Sequence, residues 1–215
     1  MDILFVSDYV CPYCLVAKEA LRRALAITGI DADITWHPFE LTPEPRPQID
    51  TYHDDARRAG YQILLDPCKE MGLDMKLPPN VVPRPYTRLA FEGWYYACDH
   101  GKGDEYDDLV YRAYFMDEKN IGDIAVLRTI AEKIGLDGDD FVSALENGVY
   151  TEKEKAAISY ARNEIKPIGV PAMYINGKKV SIGNYTMREM IRLLTDNTAL
   201  TDDSYGCSED GCGDL

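Results

Sequence analysis

Four cysteines in two pairs are the residues of this sequence best suited to do chemistry. Cys11 and Cys14 form a CxxC in Asp8-Tyr9-Val10-Cys11-Pro12-Tyr13-Cys14, and Cys207 and Cys212 form a CxxxxC in the last nine residues. Residues three apart share one face of a helix, and a disulfide between them falls within the Cα separation that S–S geometry allows. Such a pair can be held as dithiol or disulfide; its other readings are a structural disulfide and half of a zinc site. Position on the helix then separates the two thiols. Cys11, at the start, meets the positive end of the helix dipole and unpaired backbone N–H groups, which favour the thiolate and make it the expected nucleophile. Cys14, one turn in, is shielded and is expected to resolve the mixed disulfide that Cys11 forms. Pro12 sets the first turn, and Tyr13 is expected to face solvent or substrate. Asp8 reads either as a turn or cap residue or as a group that assists proton transfer.

The other candidates are weaker. Cys68 and Cys98 are expected to be small buried apolar residues. His37, His53 and His100 share no metal-ligand spacing and read as satisfied surface or core residues, so no metal site is assigned. Trp94, Tyr95 and Tyr96 are expected in a core, with some of that cluster facing a substrate groove. The tail pair has three readings: an accidental pair, a zinc site formed with Cys11 and Cys14, or an accessory redox pair. Cys207 follows the last expected helix by about a dozen residues, a linker averaging roughly 19 Å against a domain radius of gyration of about 17 Å, so the tail can reach the CxxC.

The elements that must position these residues follow from the pattern around them. Ile3 to Ser7 is a short β-favouring run, Pro12 to Thr28 repeats apolar residues at helical spacing before Gly29, and Asp33 to Phe39 alternates as a second strand. The first 42 residues therefore read as β-α-β. Residues 43–165 read as a block of five or six helices, best marked from Asp123 to Ile134 and from Asp139 to Leu145. Residues 166–196 read as β-β-α, with strands Ala172 to Ile175 and Lys178 to Ile182 joined at Asn176-Gly177 and a helix from Thr186 to about Leu194. The two halves can form one sheet only if they meet, which makes the helical block an insertion. Residues 197–215 read as an acidic, mobile tail.

Composition bounds the partners. The 215 residues are 46% hydrophobic and 28% charged, which excludes a disordered or fibrous chain. With 23 Lys and Arg against 37 Asp and Glu, the net charge of −14 repels a phosphate backbone or an anionic membrane. Neither nucleic acid nor a membrane is an expected partner. No apolar run is long enough to cross a bilayer and no leader opens the sequence, so a cytoplasmic location is expected.

The sequence resembles the DsbA-like thioredoxin-fold oxidoreductases, in the FrnE-like branch related to 2-hydroxychromene-2-carboxylate isomerases. Three features carry the resemblance: Cys11-Pro12-Tyr13-Cys14 directly after a strand, Gly169-Val170-Pro171 before one, and Arg112-Ala-Tyr-Phe-Met-Asp-Glu-Lys-Asn-Ile-Gly-Asp123 followed by Val126-Leu127. It implies an α/β chain with a thioredoxin fold and an inserted α-helical domain, and it assigns Val170 and a cis Pro171 to a loop that lends its backbone to a substrate chain. Tyr13 stands where periplasmic relatives carry His, so their strongly oxidising potential does not carry over. Cys11 stands where the isomerases carry Ser, which counts against isomerase chemistry.

These residues lead to an expected thiol-disulfide oxidoreductase or disulfide isomerase. It would act on protein or peptide disulfides through Cys11 and Cys14, with no bound cofactor and an external reductant such as glutathione or a thioredoxin system. The Cys207/Cys212 pair would relay electrons. The alternatives are a glutathione-dependent isomerase or transferase on a small aromatic compound, and a zinc-holding or chaperone-like binding module.

Overall fold

A computed structural model describes residues 1–196, 206–208 and 211–213. It opens with β1 (Asp2–Ser7), α1 (Pro12–Thr28) and β2 (Asp33–Pro38). β1 runs parallel to β2, with Phe5 opposite Trp36, as a β-α-β unit requires. Cys11 is the N-cap of α1 in an extended conformation, and Pro12 occupies the first turn, where its missing N–H costs nothing. The helix ends at Gly29, whose left-handed backbone (φ 66°) lets its N–H reach the Leu25 carbonyl.

Seven α-helices follow among the described residues of the block expected to hold five or six. They are α2 (Asp55–Gly60), α3 (Leu65–Met71), α4 (Arg88–Asp99), α5 (Gly103–Phe115), α6 (Ile124–Lys133), α7 (Gly138–Glu146) and α8 (Thr151–Tyr160). A 3-10 turn, Tyr61–Leu64, joins α2 to α3, and a π-turn, Ala161–Ile165, closes α8. The undercount lies in α2 and α3, of six and seven residues, too short to show a helical period. α6 and α7 stand where the pattern put them, each begun by an Asp N-cap, Asp123 and Asp137, that accepts a backbone N–H.

The chain then returns to the sheet. β3 (Ala172–Ile175) pairs antiparallel with β1, and β4 (Lys178–Val180) pairs antiparallel with β3, giving the order β2-β1-β3-β4. The hairpin turns at Asn176 and Gly177, both at positive φ, as the Asn-Gly signal predicts. α9 (Met187–Thr195) starts at Thr186, whose hydroxyl accepts the Glu189 N–H, and packs against α1. One continuous core joins Phe5, Val16 and Met173 of the sheet half to Tyr106, Tyr111 and Phe141 of the helical block. This mixed sheet with an interrupting helical block has the architecture that the resemblance implies.

Within the tail, β5 (Gly206–Ser208) and β6 (Gly211–Gly213) form an antiparallel hairpin in which Cys207 and Cys212 are opposed residues. β5 lies against α1 and β6 against α2. The mobility expected of residues 197–205, 209–210 and 214–215 concerns positions outside the described residues. No described helix is long and apolar enough to cross a membrane.

Candidate active site

The end of β1 delivers a turn, Asp8 to Cys11, closed by the Cys11 N–H donating to the Asp8 carbonyl at 3.1 Å. That turn sets both cysteines on the first turn of α1. Cys11 and Cys14 are free thiols, and both are 0% exposed. The Cys11 thiol donates to the Val170 carbonyl at 3.4 Å, bringing together residues 159 positions apart. The Val170–Pro171 peptide bond is cis, and Val170 is buried. Two segments that the sequence separates therefore meet at one sulfur.

Burial pushes the Cys14 thiol well above its ordinary range, and its hydrogen bond to Cys11 adds to this. A protonated Cys14 donating toward Cys11 is the arrangement that stabilises a developing charge on the outer sulfur. The Asp8 backbone N–H also reaches Cys14. The Asp8 carboxyl is fully buried, with Oδ2 accepting the Leu41 N–H at 2.7 Å and Oδ1 lacking a partner. Burial raises its pKa, while the Leu41 amide, the Arg84 guanidinium, Thr87 and the Val10 amide pull it down. Asp8 thus closes the turn with its carbonyl, as its turn reading expects, and its carboxyl is buried.

Tyr13 overturns its expectation. It is fully buried instead of facing solvent, with its hydroxyl donating to the Gly60 carbonyl at 3.0 Å and its ring against Tyr61 and Tyr185. The reason is the 3-10 turn after α2, which folds over the first turn of α1. Cys98 is a second correction: it lies exposed near the end of α4, while Cys68 is buried with Sγ 3.6 Å from the Met75 sulfur. His37, His53 and His100 each have a local partner, the Pro38 carbonyl, the Asp50 carboxylate and the Tyr96 carbonyl. Tyr95 and Tyr96 are buried and Trp94 is half-buried, consistent with a core role. Among the described residues no group of three or more His, Cys, Asp and Glu could hold a metal ion.

The model of the DSBA-like thioredoxin domain matches residues 2–194. The chain belongs to this DsbA-like family. It is 43% identical over 176 residues to the uncharacterized protein YwbO of Bacillus subtilis, covering 81% of this chain and 86% of that one. Among solved structures, the probable DsbA oxidoreductase SCO1869 from Streptomyces coelicolor superposes with a TM-score of 0.74 at 24% identity, over 99% of this chain and 98% of that one. The cytosolic disulfide reductase DsbM from Pseudomonas aeruginosa gives 0.66 at 15% identity, over 92% of this chain and 98% of that one. The DsbA-like family is one of disulfide oxidoreductases, so the two thiols at the head of α1 stand in a scaffold that belongs to enzymes.

Three tyrosines were not singled out in the sequence. Tyr61 is pushed up to about 12 by burial and by the charge of Cys11, and burial with both cysteines raises Tyr185 further. Burial raises Tyr111 as well, and its hydroxyl donates to the Asp8 carbonyl at 3.4 Å. All three stay neutral near the thiols, and the Tyr185 hydroxyl is buried without a hydrogen-bond partner. The one available signal was compositional: 15 tyrosines against five phenylalanines means that many rings carry a hydroxyl into the interior.

Proposed function

We propose that this DsbA-like chain is a thiol-disulfide oxidoreductase or disulfide isomerase acting on protein disulfides. The observation that carries the reading is the contact of Cys11 Sγ with the carbonyl of Val170, which precedes a cis proline, beside a Cys14 thiol that burial keeps protonated. Cys11 thiolate attacks one sulfur of a substrate disulfide, forming a mixed disulfide and releasing the other sulfur as thiolate. Cys14 then loses its proton and attacks Cys11 Sγ, which forms the Cys11–Cys14 disulfide and releases the second substrate sulfur. Val170, with Pro171, aligns an extended substrate segment through its backbone. Two electrons return from an external thiol such as glutathione or a thioredoxin system, in the cytoplasm, and no bound cofactor takes part.

Cys207 and Cys212 serve in this reading as an accessory pair. Opposed residues of an antiparallel ladder have Cα atoms about 4.5–5.5 Å apart, a spacing that a disulfide accepts. The contacts of β5 with α1 and of β6 with α2 support exchange with Cys11, because the Tyr13–Gly60 hydrogen bond holds α2 at the thiol-bearing end of α1. Reduced Cys207 or Cys212 would attack Cys11 Sγ of the Cys11–Cys14 disulfide and release Cys14 as thiolate; the other tail cysteine would then attack its neighbour's sulfur, forming the Cys207–Cys212 disulfide and releasing Cys11 as thiolate.

The test is insulin reduction and reactivation of scrambled ribonuclease by the wild type, Cys11→Ser and the Cys207→Ser/Cys212→Ser double variant. Loss of both activities with Cys11, and altered turnover in the double variant, support the full reading. Activity that survives Cys11→Ser rules out the redox reading, and turnover unchanged in the double variant rules out the relay.

A further inference from the structure

Outside the thiol centre, a cleft of about 660 Å³ opens between the segment that follows β2 and helices α4 and α8. Sites for small molecules are of this size. Neither cysteine of the CxxC lines it, and neither does Val170 or Pro171. Its walls carry both signs of charge, with Glu40, Glu44 and Glu154 as acids and Arg88, Lys155 and Arg162 as bases. Burial sorts these groups. Glu40 and Glu154 are 4% and 1% exposed and form the floor, whereas Glu44 and Lys155 are exposed at the rim.

The bases are engaged away from the floor carboxyls. Arg88 donates to Glu92 Oε1 at 2.6 Å and to Glu44 Oε2 at 3.4 Å. The Arg162 guanidinium donates to the Glu40 main-chain carbonyl at 2.7 Å and lies over the Phe39 ring, 4.8 Å from its centroid. Lys155 pairs with Glu152 at 3.1 Å; both side chains are exposed, so that pair is weak and the ammonium can turn to another partner. The floor acids are left wanting, since Glu40 Oε2 and Glu154 Oε1 are buried without a hydrogen-bond partner. Such atoms are rare in native proteins, and an ionised carboxyl only accepts, so what the floor lacks is a donor.

We infer that this cleft binds a small zwitterion of the amino-acid type, its ammonium between Glu40 and Glu154 and its carboxylate on Lys155 at the rim. An ammonium brings three donors together with the positive charge that two buried carboxylates need. The terminal torsion of a glutamate is soft, so the two unpartnered oxygens can swing toward it at small cost. A simple anion would be repelled by the floor, and a simple polycation by Arg88, Arg162 and Lys155. A ligand with both charges meets an opposite charge at each end, and the buried Ile158 gives the frame between them an apolar wall. The site uses no residue of the dithiol exchange and stands apart from that reading.

Isothermal titration calorimetry of the full chain at pH 7.5 tests the site with glycine, 4-aminobutyrate and 6-aminohexanoate, which hold the same two charges at different separations. At least one should bind with one-to-one stoichiometry and more tightly than butylamine, and butyrate should not bind. Glu154→Gln keeps the side chain's size and removes its charge, and should weaken the best probe by roughly tenfold or more. Lys155→Gln, an exposed change that leaves folding alone, should weaken that probe by about two- to fivefold without affecting butylamine. Cys11→Ser should bind as the wild type does. The inference is overturned if none of the three amino acids binds, if butylamine binds as tightly as the best of them, or if either charge variant leaves its affinity unchanged. Binding lost in Cys11→Ser overturns it as well, by placing the ligand at the thiols.

Discussion

The Cys11 thiol donates to the Val170 carbonyl at 3.4 Å, and burial holds the Cys14 thiol, three residues along the same helix, well above its ordinary pKa range. The outer thiol is thus held between a group that will meet substrate and a group that will displace it. Serine at Cys11 keeps the hydrogen bond but removes the nucleophile, and exchange should fall by roughly 10³-fold or more. Cys14→Ser should keep the first chemical step and accumulate a mixed disulfide with substrate. Mass spectrometry of the trapped adduct, with and without reductant, checks both; turnover retained in either variant would refute the two-thiol mechanism.

Much of this arrangement was legible in the sequence, for a local reason. A strand, a turn, Pro12 at the head of a helix and Gly29 at its end are signals written within a few residues, and α1 runs over the residues its pattern marks. The Asn176-Gly177 hairpin was readable for the same reason. Tyr13 was not, because what buries it is Gly60 and Tyr61 on a helix and turn too short to have a period of their own. Glu40 and Glu154 were equally hidden. They are 114 positions apart in the sequence, and glutamate carries no prior for burial, so only the packing of α8 against β2 brings them together.

Asp8 carries a fully buried carboxyl beside the CxxC turn, with Oδ2 accepting the Leu41 N–H. Because burial raises its pKa, ionising it costs stability at neutral pH, and Asn can still accept the Leu41 N–H. Asp8→Asn should therefore raise the melting temperature at pH 7.5 by a few degrees, where about 1 kcal/mol corresponds to roughly 2–4 °C for a chain of this size. The same change should slow the Cys14 step by about 10²-fold, the lower end of what a positioned proton acceptor contributes. A variant that is less stable and resolves at the wild-type rate would show that Asp8 is only a turn residue.

The Glu40–Glu154 pair predicts how stability varies with pH. Burial, and then the charge of other carboxylates, raises both groups above the ordinary glutamate range, so the folded state binds their protons more tightly than the unfolded chain. Stability from this source is complete below the unfolded value of about 4.3 and is lost as pH rises through the raised folded values. Between pH 5 and pH 8.5 the wild type should lose more melting temperature than Glu40→Gln, in which one titrating group is gone. Parallel curves for the two proteins would show that protonation of these two carboxyls does not stabilise the junction.

Tyr13 joins α1 to α2 through the hydrogen bond from its hydroxyl to the Gly60 carbonyl. Tyr13→Phe keeps the ring contacts with Tyr61 and Tyr185 and removes the hydroxyl's bond to Gly60, so the cost should be about 0.5–1.5 kcal/mol. The loss should be local. Amide exchange in α2 and the following turn should accelerate several-fold while that of α5 stays unchanged. Uniform acceleration would mean that the hydroxyl supports the whole fold.

Gly93 is where α4 lets the helical block close. It is buried on the face of α4 that meets α5 and α7, and a Cβ there would run into the Tyr106 hydroxyl and fall 2.8 Å from the Phe141 ring. Both rings are fully buried in a close-packed core and have no free space to move into. Alanine is ordinarily the better helix former by about 1 kcal/mol, so propensity alone predicts stabilisation. Overpacking of this kind costs typically 1–3 kcal/mol and should win. Gly93→Ala is thus expected to unfold at a lower urea midpoint with an unchanged slope, and pairing it with Tyr106→Phe should recover part of the loss by removing the colliding oxygen. If Gly93→Ala is as stable as wild type, α4 and α5 can separate without cost, and the close approach at Gly93 does not hold the helical block together.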